Sequence, residues 1–298
     1  MRRSFIGLIL VAGFSFALPG AAQTAAAAGS CDRACLSRFI TQYLDALVAH
    51  KPENLPLADQ ARFTEDTREM KLGEGLWKTA TKLGGFRQEI LDVRQGVAGV
   101  HTVVEEGSTP VLLAARLKIV GMKVSEIETM VVRNVNEGMI FDVAAVKTAS
   151  PAMNVMPEKS TLATREEAIR IATLYPAGLK AGSFVTAGTP FAPEAYRFEN
   201  GRYMAGPGCT FLAGCDNIKT QRLPLLSGIT HRVAAVDEEQ GIVWLRMDFG
   251  PRSVMGVDAN THSLNCFEMF KIYGGEIHAV EAFMEKQPLN TPSGWDAK

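Results

Sequence analysis

Hydrophobic positions along this chain change period in one order, and then repeat that order. From Cys31, apolar residues recur three and four apart, so that Leu36, Phe39, Ile40, Tyr43, Leu44 and Leu47 share one helical face. The period then falls to two, or dissolves into apolar runs such as VLLAARLKIV from Val111, as expected of strands. The order restarts at Thr164. Thr164 and Glu167 form a capping box, and Ala168, Ile171, Ala172 and Tyr175 share a face. Pro176 predicts a stop or kink in that helix. Strand-like runs follow, among them GIVWLRMDFG from Gly241.

The two halves end on matched text. KIVGMKVSEIETMVVR starts at Lys118 and KIYGGEIHAVEAFMEK at Lys271. Aligned without a gap they share Lys118/Lys271, Ile119/Ile272, Gly121/Gly274 and Glu128/Glu281. Each reads as strand, tight turn, strand, with Gly121-Met122 and Gly274-Gly275 as the turns. A second echo pairs RFTEDTREM from Arg62 with RFENGRYM from Arg197. A stretch rich in Pro, Ser and Thr separates the halves. The predicted organisation is a leader over 1–30, a domain over 31–146, a linker over 147–163, a second domain over 164–290 and a tail over 291–298. The fold class is α+β, with an antiparallel sheet wrapped on a helix in each half. The two units are expected to pack by their sheets, as a homodimer of one fold would; a homodimer of the whole chain is also compatible.

Helix, then FTED or FEN, then a strongly bent sheet ending in the matched hairpin resembles the NTF2-like superfamily (SnoaL-like, ketosteroid-isomerase-like), here as two tandem cones. RFTED…LGEGLWKT and FENGRYMAGPGCTF resemble a family of exported proteins of unknown function built on that unit. The resemblance implies a pocket inside each cone. It implies no single chemistry, because the fold hosts isomerases, dehydratases, hydrolases, lyases and plain binding modules.

Arg2 and Arg3, an apolar run from Phe5 to Leu18 and small residues near Ala22 read as a secretory signal; RRSFIG also fits the core of a twin-arginine signal. A periplasmic or secreted location is therefore expected. Diffusible NAD and ATP do not suit it, and no cofactor is expected. Cysteines in an oxidising compartment pair by default. Cys209 and Cys215, in a Gly-rich loop, are expected to join. Cys31 and Cys35 could do the same, leaving Cys266 as a buried thiol. No cysteine and histidine spacing suggests a metal. A formal net charge of −1 gives no basic footprint for nucleic acid, and no later run is long enough to insert stably in a membrane.

The remaining chemistry suggests an exported, cofactor-free enzyme acting on a small apolar molecule by proton abstraction, of the isomerase, lyase or dehydratase type. A non-catalytic binding or structural module is the alternative. Asp248, mid-strand among large apolar residues, reads as a desolvated base, and His278 as its acid. His231 and Glu281 are further candidates, Glu281 because Glu128 matches it in the first half. On strict alternation Ile277, Ala279, Glu281 and Phe283 share a face. Tyr196, Trp77 and Tyr43 are candidate pocket aromatics, with Arg116 and Glu128 as polar partners. His101 reads as solvated at a strand start, and the glutamates as partners of Lys118 and Lys271. The second half is expected to carry the chemistry.

Overall fold

The computed structural model describes residues 31–147, 150–292 and 294–295. The predicted leader lies outside the described residues. Helix α1 (Arg33–Val48) starts where the Asp32 carboxylate accepts the Cys35 N–H at 2.8 Å. Its buried face is the one read from the sequence. Strands β1 (Leu57–Glu65), β2 (Arg68–Glu69), β3 (Ala80–Asp92), β4 (Val97–Glu106), β5 (Thr109–Val120) and β6 (Lys123–Val132) form one sheet in the order β2-β1-β6-β5-β4-β3.

The second half repeats the plan. Helix α2 (Arg165–Ala181) is capped by Thr164. It runs through Pro176 and stops at Gly182, whose φ of +67° lets its N–H reach the carbonyls of Gly178 and Leu179. Strands β7 (Phe191–Glu199), β8 (Arg202–Ala205), β9 (Thr230–Asp237), β10 (Ile242–Asp248), β11 (His262–Tyr273) and β12 (Glu276–Pro288) are ordered β8-β7-β12-β11-β10-β9. The chain is thus α+β with two six-stranded sheets of one topology, which fits a tandem duplication.

The sheets are mixed, not antiparallel as expected. β1 runs parallel to β6, and β7 to β12. A whole meander separates the members of each pair, long enough to bring the chain back in the same direction. The upstream echo also shifts by one residue. Thr64 lies opposite Glu128 and Phe198 opposite Glu281, so Arg62 corresponds to Tyr196 and Asp66 to Asn200. Asp66 and Asn200 have φ of 50° and 45°, and each side chain accepts a strand N–H, from Val131 and Met284 respectively.

The layers run helix, sheet, sheet, helix. Each helix packs on one face of its own sheet. The other faces meet each other around Phe86, Leu112, Met130, Trp244, Phe267 and Phe283. Two matched aspartates lock this contact. Asp92 closes its own β3–β4 turn by accepting the Gln95 N–H, then accepts the Val236 N–H at 2.9 Å from the other sheet. Asp237 accepts the Gln240 N–H of its own turn and the Leu91 N–H at 3.0 Å. Each also binds the first arginine of the other half's helix: Arg165 on Asp92, Arg33 on Asp237. β3 and β9 are sheet edges, so the carboxylates also satisfy strand N–H groups that an open edge would expose.

Val97 and Ile242 lie opposite the matched Lys118 and Lys271. On that register Trp244 corresponds to Gly99. The Trp244 ring, fully buried, fills the space a Gly99 side chain would need: a Cβ there would sit 2.5 Å from it. Gly99→Ala should therefore cost about 1–3 kcal/mol by overpacking. Asp237→Ala should cost about 1–3 kcal/mol, chiefly by leaving the buried Leu91 N–H without its acceptor, while Arg33 keeps its second partner Glu239. Urea unfolding measures both; two variants as stable as wild type would refute this account of the interface.

Candidate functional site

Repeated units make repeated irregularities, and one of them rearranges the predicted face. Lys271 pairs with Ala279 but Ile272 with Ile277, so His278 sits in a bulge. The first half has the same bulge at Ser125, between the Lys118–Glu126 and Ile119–Val124 pairs. Ile277 therefore faces α2, whereas Ala279 and Phe283 face the other sheet. Glu281, between the last two, is delivered to the contact between sheets.

There it lines a cavity of about 230 Å³ with Phe86, Val146, Ser150, Phe198 and Phe283. Phe86 comes from the first half, Val146 and Ser150 from the connecting segment and the others from the second half. Glu281 is a wall residue of this space and is otherwise largely enclosed. Burial lifts its pKa to about 7, against the hydrogen bond from Ser150 that favours its charged form.

The direction of that bond follows from the donors. The Ala152 N–H can only donate, and it meets the Tyr196 hydroxyl oxygen at 3.2 Å. Tyr196 hydrogen-bonds Ser150 Oγ, and Ser150 hydrogen-bonds Glu281 Oε1. The ionised carboxylate can only accept, so the single Ser150 O–H goes to Glu281, and the Tyr196 O–H therefore donates to Ser150 Oγ. One carboxylate oxygen is thereby held, and the other is left for whatever enters the cavity. Burial pushes the Tyr196 phenol up to about 12, so it stays a donor at neutral pH.

The structure separates the other sequence candidates. Asp248 is half-buried at the end of β10, where its carboxylate accepts the Gly250 N–H at 2.8 Å; it holds the DFG turn. It lies opposite Asn265, near the start of β11, whereas His278 lies by the last residues of that strand. The pair does not converge. His278 has both ring nitrogens engaged, Nδ1 with Glu194 at 2.7 Å and Nε2 with the Tyr273 carbonyl at 3.1 Å, and stacks on the Tyr273 ring. It fastens the bulge. His231 is exposed beside Asp248 on a small cavity of about 80 Å³. His101 is not solvated: it is buried in the middle of β4, accepts from Trp244 Nε1 and stacks on Phe283. Burial drops its pKa to about 3, so it is neutral.

Tyr43 and Trp77 pack edge to face in the first core, 5.5 Å apart, and do not line the Glu281 cavity. The space between helix and sheet in each half, where the resemblance puts a pocket, holds fully buried side chains: Tyr43 and Trp77 in one, Tyr175, Phe184 and Phe270 in the other. Lys118 and Lys271 do not pair with the matched glutamates; their ammonium groups bind the Gln95 and Gln240 carbonyls. Glu128 instead meets Arg232, Arg246 and Arg116, so the first-half counterpart of Glu281 is a neutralised carboxylate. Cys31–Cys35 and Cys209–Cys215 are bonded, and Cys266 is a buried thiol. Sequence reasoning missed Ser150, Phe86 and Phe198. No motif marks Phe86 or Ser150, which reach Glu281 from the first half and the connecting segment; Phe198 stands in the FEN echo, directly opposite Glu281 in the second sheet, and its place beside the acid shows only once β7 pairs with β12.

Buried acids give the protein a pH signature. Glu281 and Glu65 are raised to about 7 and Glu268 to about 8, each chiefly by burial. A raised acid is protonated in the folded state while the unfolded chain has already lost the proton. Its contribution is complete below the unfolded pKa, about 4.3, and is lost as pH rises through the folded value. Melting temperature should therefore fall from pH 5 to pH 8, and Glu281→Gln should flatten that fall. A melting temperature that climbs over this range would contradict the burial argument.

Residues 161–284, from just before α2 into β12, match a family model described as a domain of unknown function (DUF8021). Among solved structures the chain is similar to a de novo designed protein with a curved β-sheet, at 16% identity and a TM-score of 0.29, over 34% of this chain and 87% of that one. No curated protein matches it.

Proposed function

We propose that this is an exported enzyme in which Glu281 acts as general base on a carbon acid. The observation that carries the reading is one carboxyl with a pKa of about 7 at the wall of a largely apolar cavity. A base titrating near working pH combines a useful deprotonated fraction with real proton affinity. Glu281 takes a proton from a C–H made acidic by a neighbouring carbonyl. Isomerisation returns it at another carbon; elimination expels a leaving group instead. Phe86, Phe198 and Phe283 give the space apolar walls, and Ser150 with Tyr196 holds the carboxylate. The fold reading that accompanies this is two fused NTF2-like cones, with the working site on the sheet face between them and not inside either cone. Two disulfides support export, and among the described residues no helix is long and apolar enough to cross a membrane. The filled helix–sheet interiors favour one second reading, a module that binds the same apolar ligand without turning it over.

A screen of apolar ketones for deuterium uptake from heavy water, read by mass spectrometry, tests the proposal. Wild type should exchange, with a rate rising through about pH 7 as Glu281 ionises. Glu281→Gln should lose about 10²- to 10⁴-fold, and Asp248→Asn should keep wild-type rate. Binding of ketones without exchange would establish the second reading. Exchange that survives Glu281→Gln would remove Glu281 from the chemistry.

A further inference from the structure

The Glu281 cavity is smaller than a small-molecule site usually is, about 300–1,000 Å³. It does not end there. Ala145, Phe198 and Gly201 also wall a second cleft of about 470 Å³, so the two spaces adjoin. The outer cleft is lined further by Asp142, Arg202, Tyr203, Thr210 and Phe211. It exists because the halves differ. The connection after β2 covers residues 70–79, while the one after β8 covers 206–229. That longer loop is pinned at its root: the Gly206 N–H donates to the Cys215 carbonyl at 2.7 Å, and Cys209 is bonded to Cys215. Thr210 and Phe211, between the two cysteines, are held over the cleft.

Of the described residues lining the two spaces, Arg202 alone is cationic. Its guanidinium lies 5.1 Å over the Phe211 ring, which orients it. It meets Asp142 at 3.7 Å, an ion pair without the short paired hydrogen bonds of a guanidinium–carboxylate fork. Both side chains stay open to solvent, 49% and 38% exposed. An oriented, half-exposed guanidinium with a loosely held partner thus stands at the mouth of the apolar pocket.

We infer that the ligand is an amphipathic carboxylate. Its apolar body enters the Glu281 cavity past Phe198, and its carboxylate takes the place of Asp142 on Arg202. This rests on the reading of the Glu281 cavity as the working site, and names the substrate class for it.

Calorimetric titration with 4-phenylbutyrate beside 4-phenylbutanol, its neutral alcohol, tests the assignment. The carboxylate should bind the intact protein about tenfold or more tightly than the alcohol, the effect of one charge-assisted contact. Arg202→Gln should abolish that preference without changing alcohol binding. Asp142→Asn, which removes the competitor, should strengthen carboxylate binding. Arg202 is exposed and Asp142 half-buried, and neither belongs to a hydrophobic core, so both variants should fold. Equal binding of acid and alcohol, a preference that survives Arg202→Gln, or no binding of the carboxylate would each overturn the inference. Failure of the base reading looks different: Arg202-dependent carboxylate binding with no proton exchange leaves this assignment standing. Exchange of neutral ketones, with no Arg202-dependent preference for acids, does the reverse.

Discussion

Asp92 and Asp237 each answer to two masters, a turn in their own half and a strand edge in the other. A carboxylate placed this way cannot shift without breaking bonds on both sides of the interface. The arginines that open α1 and α2 complete the arrangement, so helix, turn and opposing sheet are fixed relative to one another. Everything of functional interest lies downstream of that alignment. The Glu281 cavity has walls from both halves and from the segment joining them. A displacement of one sheet by a single residue pair, roughly 3.3 Å, would carry Phe86 away from Glu281.

Within this frame the two halves have diverged where they meet. Trp244 occupies the room that Gly99 leaves. Two tryptophans at those matched positions would collide, and two glycines would leave a void. Glu128 and Glu281 were placed alike by the same hairpin and the same bulge, yet one faces arginines and the other phenylalanines. Coulombic partners neutralise the first. Apolar walls leave the second with a raised pKa and open space in front of it. The two carboxylates hold equivalent places in the two sheets, and their surroundings differ.

How much of this could be read from residues alone varies with the range of the interaction. Helical and strand periods, the matched hairpins and the pairing of Cys209 with Cys215 follow from local chemistry, and all are visible in the text. The bulge at His278 is not, because an extra residue leaves the composition of a strand unchanged; the face assignment of Ile277 went wrong with it. The Arg62/Arg197 echo misled by one position, since the eye matched arginines while the fold matches Asp66 with Asn200. The clasp did leave a signal: DVRQG from Asp92 and DEEQG from Asp237 are one motif written twice. Asp248 looked buried by its neighbours in sequence, but strand ends open to water, and its turn claims the carboxylate. Glu281 was legible as a repeated acid; Ser150 and Phe86, which line the cavity with it, were not.

The central claim is that enclosure at the joint between halves turns Glu281 from an ordinary carboxylate into a near-neutral base. Carbon-13 NMR of the side-chain carboxyls, with Glu281→Gln used to assign the resonance, measures this without any substrate. The account predicts a Glu281 titration centred at about 7. A midpoint near 4.3, the ordinary value for glutamate, would contradict it.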